Sequence, residues 1–206
     1  MSDIKNCEMV DLGLPSGTKW LKYNVGATKE DECGYFFQWG SVDGFNDASH
    51  STWATCPFND GLEDFNSEYF SSVSEEVCPD RILKDEYDVA SVLGDGYSIP
   101  TDVDFSELYD NTNVEYTETN GVSGIKFTSK TDETQFIFLP SNGIAVDGKV
   151  SGVGKCGNYW SKNVMDMNSD LACALNFVGK DVFPKGNSSR SYGFGIRSVF
   201  KDKISN

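Results

Sequence analysis

Residues 8–25 read as two extended stretches on either side of Leu14-Pro15-Ser16-Gly17. That run is a turn signal, because proline presets its own φ and glycine accepts a positive one, so the chain is expected to open with a β-hairpin. Residues 40–80 read as loop-like and are rich in Gly, Asn, Asp and Ser. Aromatic residues (Phe45, Trp53, Phe58, Phe65, Tyr69, Phe70) are scattered through them. They read as a long loop that folds on itself through its own side chains, since a plain linker would not need the rings. A short helix is expected near residues 84–90. The clearest helix start is Ile99-Pro100-Thr101-Asp102-Val103-Asp104. Thr101 is the N-cap, Asp104 reaches back as in a capping box, and Asp102, Asp104 and Glu107 sit at the positive end of the dipole. Phe105 and Leu108 share one face, and the helix should end near Asn111.

A β-rich half follows. Strands are expected at 114–117, 124–128 and 134–139, with Thr119-Asn120-Gly121 as the first reversal because Asn-Gly tolerates positive φ. Further extended runs are 158–162, 171–178 and 193–200. The glycines at 143, 148, 152, 154 and 157 read as a flexible loop series. The fold class is α+β: small antiparallel sheets, one or two helices and long irregular loops. The 206 residues suit one domain, 1–206, with an acidic, loop-rich insert at about 41–98.

Charge narrows the partners. The formal charge is -15, and residues 1–100 hold 19 acids against 6 bases, residues 101–206 hold 13 against 11. Phosphate backbones and anionic lipid both need clustered Lys and Arg, so neither nucleic acid nor an anionic bilayer is an expected partner. No stretch approaches the ~20 apolar residues of a membrane span. The opening Met1-Ser2-Asp3-Ile4-Lys5-Asn6-Cys7 has no basic region leading into an apolar one. Assembly in the cytoplasm into a virion is one expectation, and a bacterial cell surface, if a signal was removed, is the other. Six cysteines (Cys7, Cys33, Cys56, Cys78, Cys156, Cys173) without a C-x-x-C and with one histidine read as reduced thiols, not a zinc site.

Several motifs, in order along the chain, resemble a known family. They are Met9-Val10-Asp11-Leu12-Gly13-Leu14-Pro15-Ser16-Gly17-Thr18-Lys19-Trp20, Asn24-Val25-Gly26-Ala27 and Gly34-Tyr35-Phe36-Phe37-Gln38-Trp39-Gly40. Then come Ile99-Pro100-Thr101, Asn120-Gly121-Val122, Ile137-Phe138-Leu139-Pro140, Tyr159-Trp160-Ser161, Ala174-Leu175-Asn176-Phe177 and Tyr192-Gly193 with Ile196-Arg197-Ser198-Val199. Together they resemble the Fibrobacter succinogenes major paralogous domain. The resemblance implies a C-type-lectin-like fold, in the branch related to formylglycine-generating enzymes, with the first strand paired to the 193–200 strand. It makes Trp20, Trp39, Trp160 and Arg197 core and strut residues.

Catalysis is not the expectation. Cys156 and Cys173 do not stand in contexts resembling the formylglycine enzymes' catalytic motif. His50, in Asp47-Ala48-Ser49-His50-Ser51, reads as a solvated loop histidine, and Asp102 and Asp104 as a helix cap. No cofactor is required. Calcium has one candidate loop in the alternating oxygen ligands Asp166, Asn168 and Asp170, while the Glu-Pro-Asn, Gln-Pro-Asp and Trp-Asn-Asp strings of calcium-dependent lectins do not occur.

Two function classes stand. In the first, the protein is a recognition module that meets a bacterial surface glycan or protein. Its face is residues Tyr159, Lys162, Asn163, Asp166, Asn168, Asp170, Asn187, Ser188, Ser189, Arg190 and Tyr192, because tyrosine gives rigid contact area while Asn and Ser adapt their hydrogen bonds. An ordinary polar surface is the plain alternative for the same residues. In the second, the chain is a virion decoration or fibre subunit that holds other virion proteins together, as a homo-oligomer with an apolar, self-complementary patch.

Overall fold

The structure, a computed structural model, describes residues 7–59 and 61–201. Most of the opening segment and of the polar tail 201–206 lies outside them. The order of elements is β1 (Met9–Val10), β2 (Lys19–Leu21), α1 (Ser67–Val77), α2 (Val89–Leu93), β3 (Tyr97–Ser98), α3 (Asp102–Asn111), β4 (Thr112–Thr119), β5 (Val122–Ser129), β6 (Phe136–Pro140), β7 (Ile144–Val146), β8 (Lys149–Ser151), β9 (Cys156–Val164), β10 (Leu171–Val178), β11 (Asp181–Ser189) and β12 (Val199–Phe200). The strands form small antiparallel sheets in the orders β1-β2-β12-β3, β11-β10-β9, β4-β5-β6 and β7-β8. The class is α+β with few helices.

Local chemistry explains the elements the sequence announced. The β1–β2 hairpin turns at Pro15-Ser16-Gly17, where Gly17 N–H donates to the Leu14 carbonyl at 2.9 Å. At the head of α3, Thr101 Oγ1 accepts from Asp104 N at 3.2 Å while Asp104 Oδ2 accepts from Thr101 N at 2.8 Å. Phe105 and Leu108 then point into an apolar cluster with Trp20, Ile125, Phe127, Leu175 and Phe177. The β4–β5 hairpin reverses through Asn120 (φ 51°) and Gly121 (φ 85°), two successive positive φ values that match the right-handed strand twist. Lys19–Leu21 pairs with Val199–Phe200, so the early and late parts of the chain share one sheet.

Four expectations need correction, and one strand was not expected at all. The loop 40–80 contains an eleven-residue helix, α1, whose Phe70, Ser74 and Val77 face inward at helical spacing; four serines and a short apolar stripe hid it. The helix expected at 84–90 is instead a tight turn, Asp85–Tyr87, followed by α2, capped by Asp88. Part of the glycine series is a hairpin, β7–β8, turning on Asp147 (φ 47°) and Gly148 (φ 75°). Residues 181–189, to which no element was assigned, are strand β11, an edge strand, where Pro184 is tolerated because one side needs no ladder donor. Of the run 193–200, only Val199–Phe200 forms a strand; the rest makes single bridges, Phe194 to Phe37 and Gly193 to Ala145.

A second apolar cluster ties the insert to the sheets: Phe58, Val77, Leu83 and Val89 pack with Trp39, Trp160, Phe194 and Ile196. Indole N–H groups stitch it together, Trp39 Nε1 donating to the Ser161 carbonyl at 2.9 Å and Trp160 Nε1 to the Phe37 carbonyl at 2.7 Å. Between the clusters sits Arg197, fully buried. It donates to Asn24 Oδ1 (2.9 Å) and to the carbonyls of Leu21 (3.1 Å), Lys22 (2.8 Å) and Phe138 (2.7 Å). No helix of the described residues is long and apolar enough to cross a membrane.

Candidate functional site

The residues chosen from sequence do not make one surface. Tyr159 and Arg190 have no exposed area and Lys162 keeps 7%. Tyr159 stands on β9 facing the α3 side of the sheet; its hydroxyl donates to the Pro140 carbonyl at 2.7 Å and accepts from Asn24 Nδ2 at 3.3 Å. Burial drives its phenol well above the ordinary range. Lys162 reaches Asp85 at 2.7 Å and the fully buried Asp88 at 3.1 Å. Arg190 lies against the Trp39 and Phe70 rings, 5.0 and 5.2 Å from their centroids, with Nη2 donating to Ser74 Oγ at 3.0 Å. These three are internal struts, and the expectation that they line a surface is corrected: an alternating strand sends every second residue inward, and polar side chains follow when partners wait for them.

The others stay at or near the surface but apart. Asn163 Oδ1 accepts from the Asp102 amide at 3.1 Å, at the start of α3. Asp166 and Asn168 are exposed on the β9–β10 turn, and Asp170 joins them to the end of β11 through its carbonyl, which accepts from Arg190 N at 2.8 Å. The turn offers a cation two carboxylates, and no group of three or more His, Cys, Asp or Glu side chains gathers among the described residues. Asn187 is exposed further along β11; Ser188, Ser189 and Tyr192 are half-buried. Cys156 Sγ rests on the Gly152 carbonyl at 3.5 Å, and burial raises the Cys173 thiol.

A cavity missed by sequence reading lies in the insert, next to the 191–193 segment. Its volume is about 480 Å³, and Gln38, Ser41, Asp43, Phe45, His50 and Thr55 are among its walls. That is within the usual range of about 300–1,000 Å³ for small-molecule sites. Reciprocal backbone bonds of 2.9 Å between Phe36 and Phe45 close the loop that carries Asp43. Gly40 (φ 78°) sits so close to Phe58 that a Cβ there would lie 2.3 Å from the ring, so only glycine lets the wall pass. Gln38 Nε2 donates to the carbonyls of Thr52 and Ser191, both at 2.8 Å, locking both walls to the late segment. The β7–β8 tip props the His50 side: Asp147 N donates to the Ser51 carbonyl at 2.8 Å. The His50 ring leans on Phe45, centroids 5.9 Å apart.

His50 belongs to a chain of hydrogen bonds. Ser49 Oγ is 2.6 Å from Asp47 Oδ1 and 2.9 Å from His50 Nδ1. The Ser49 bonds hold the Asp47 carboxyl below its ordinary range, so it is the acceptor. A hydroxyl has one hydrogen; Ser49 gives it to Asp47, and the second bond must come from His50 Nδ1–H. Only the adjacency of Asp47, Ser49 and His50 was visible in sequence, and the direction of the bonds was not. No protein-family model, no curated protein and no solved structure matches this chain.

Proposed function

We propose that the protein is a non-enzymatic recognition module, phage- or surface-associated, that binds a bacterial surface glycan or protein through the cavity between residues 38–45 and 50–57. The observation that carries this reading is the cavity's make-up: rings of Phe45 and His50 beside the exposed Asp43 carboxylate, on walls held by backbone bonds. Apolar faces with a few fixed polar groups suit binding and orientation. In support of a non-enzymatic reading, His50 donates to Ser49 instead of accepting its proton, so the pair lacks the Ser-to-His bond of a nucleophilic triad. We further propose a C-type-lectin-like fold related to the Fibrobacter succinogenes major paralogous domain. In its support, the motif residues Asn24, Tyr159 and Arg197 meet in one buried hydrogen-bonded hub, as struts of a shared frame would.

The test is an array of bacterial capsular and surface glycans, run with calcium and with chelator, on wild type, Asp43→Asn and His50→Ala. Binding that both exposed-residue variants weaken at unchanged Tm is the expected result. Binding that neither changes would move recognition away from the cavity, and measured turnover of a bound ligand would overturn the non-enzymatic reading. Tyr159→Ala would probe the fold instead.

One observation favours assembly as a second reading. Val178 (61% exposed) and Phe183 (54% exposed) lie on one face of the β10–β11 hairpin, diagonal across the ladder. A self-associating subunit would use such a pair; sedimentation of wild type against Phe183→Glu decides it, dissociation in the variant supporting a subunit and a monomeric wild type rejecting it.

A further inference from the structure

The cavity's side-chain hydrogens are all engaged inside the protein. Both amide hydrogens of Gln38 go to the Thr52 and Ser191 carbonyls. Ser41 Oγ donates to the Asp43 carbonyl at 3.1 Å. The Thr55 hydroxyl is held within its own turn, 3.1 Å from the Thr52 carbonyl and from Thr52 Oγ1. His50 gives its Nδ1 hydrogen to Ser49, which leaves Nε2 as a bare lone pair in the neutral ring. The side-chain atoms left to meet a ligand are therefore acceptors: Gln38 Oε1, the Asp43 carboxylate and His50 Nε2. The surrounding field has one sign, for residues 30–80 contain twelve acids and no lysine or arginine.

We propose that this cavity takes a ligand bearing a protonated primary amine, with the ammonium on Asp43 and neighbouring hydrogens on His50 Nε2 and Gln38 Oε1. An ammonium is a donor three times over and carries the charge a free carboxylate favours. The inference rests on the recognition reading of the same cavity and names its ligand chemistry. The source is either an amino sugar of a surface polysaccharide or a lysine side chain of a surface protein, both of which present this group.

The experiment is calorimetric titration of the whole chain with four probes: glucosamine, N-acetylglucosamine, glucose and Nα-acetyl-lysine amide. The two ammonium probes are expected to bind at least tenfold more tightly than the two neutral sugars, and their order identifies the source. Asp43→Asn should weaken them at least tenfold and His50→Ala severalfold, with Tm unchanged because both side chains are exposed. Equal binding of glucose or N-acetylglucosamine overturns the ammonium assignment while the cavity stands as a recognition site. Ammonium binding that survives both substitutions overturns the location. No binding of any probe overturns the proposal, and a glycan-array signal persisting alongside would keep recognition alive at another surface.

Discussion

Two buried arginines, seven residues apart, hold two regions of this molecule in opposite ways. Arg197, in the frame, meets four oxygen acceptors and is lodged where β2, β6 and the late segment converge. Arg190, under the insert, has one serine hydroxyl and two aromatic faces, and its Nε and Nη1 have no hydrogen-bond partner among the described residues. Burial lowers both guanidinium pKa values, Arg197 to about 10. A buried cation is tolerated when carbonyl dipoles replace its water, and less well when ring faces do so. At these two points the frame fixes its guanidinium by hydrogen bonds, whereas the insert holds its own mainly by ring contacts.

The largest effect should come from Arg197→Met. It strips donors from three carbonyls and Asn24, and a loss of about 4 kcal/mol is expected in urea unfolding. A loss below about 1 kcal/mol would erase the contrast. Lys162→Met comes next. It leaves Asp88, which has no exposed area, without its cation, although amides of Ala90, Ser91 and Ile99 still reach it. About 3 kcal/mol should be lost, as for breaking a buried pair from one side.

Tyr159→Phe removes the donor to Pro140 and should cost about 1 kcal/mol at pH 7. Its pH dependence has a definite sign. The unfolded phenol titrates near 10.0, while the buried one resists ionisation to higher pH. Above pH 10 the unfolded chain loses that proton and the folded chain does not, so wild-type stability falls as pH rises. The variant lacks this component, and the gap between the two should narrow above pH 10; a gap that widens would contradict the burial. Arg190→Met should have the smallest effect, within about 1 kcal/mol of wild type, because lost cation–π attraction is offset by removing an under-paired buried charge. A loss of several kcal/mol would mean that the ring faces satisfy a guanidinium as well as carbonyls do.

Legibility in the sequence followed the range of the forces involved. The α3 cap, the Asn120-Gly121 reversal and strand β10 depend on residues a few positions apart, and their bounds were readable. Helix α1 was not, because serine is an indifferent helix former and distant contacts, such as those of Phe70 with Trp53 and Phe65, make its inner face worthwhile. Strand β11 went unassigned because edge position, not composition, excuses its proline. Among the candidate site residues, Tyr159, Lys162 and Arg190 carry side chains that suit a binding surface equally well, and nothing local says that Pro140, Asp88 and Trp39 are waiting for them.

By itself the sequence determined an acidic α+β chain, its early hairpin, its capped helix and most of its late strands, since turn geometry, capping and alternation act locally. Tertiary structure alone decided which polar residues turned inward, and which hydrogens around the cavity were already engaged. Those choices depend on partners far along the chain, 153 positions away for Gln38 and Ser191 and 176 for Arg197 and Leu21, and a hydrogen-bond donor can be committed only once the acceptor has been brought to it.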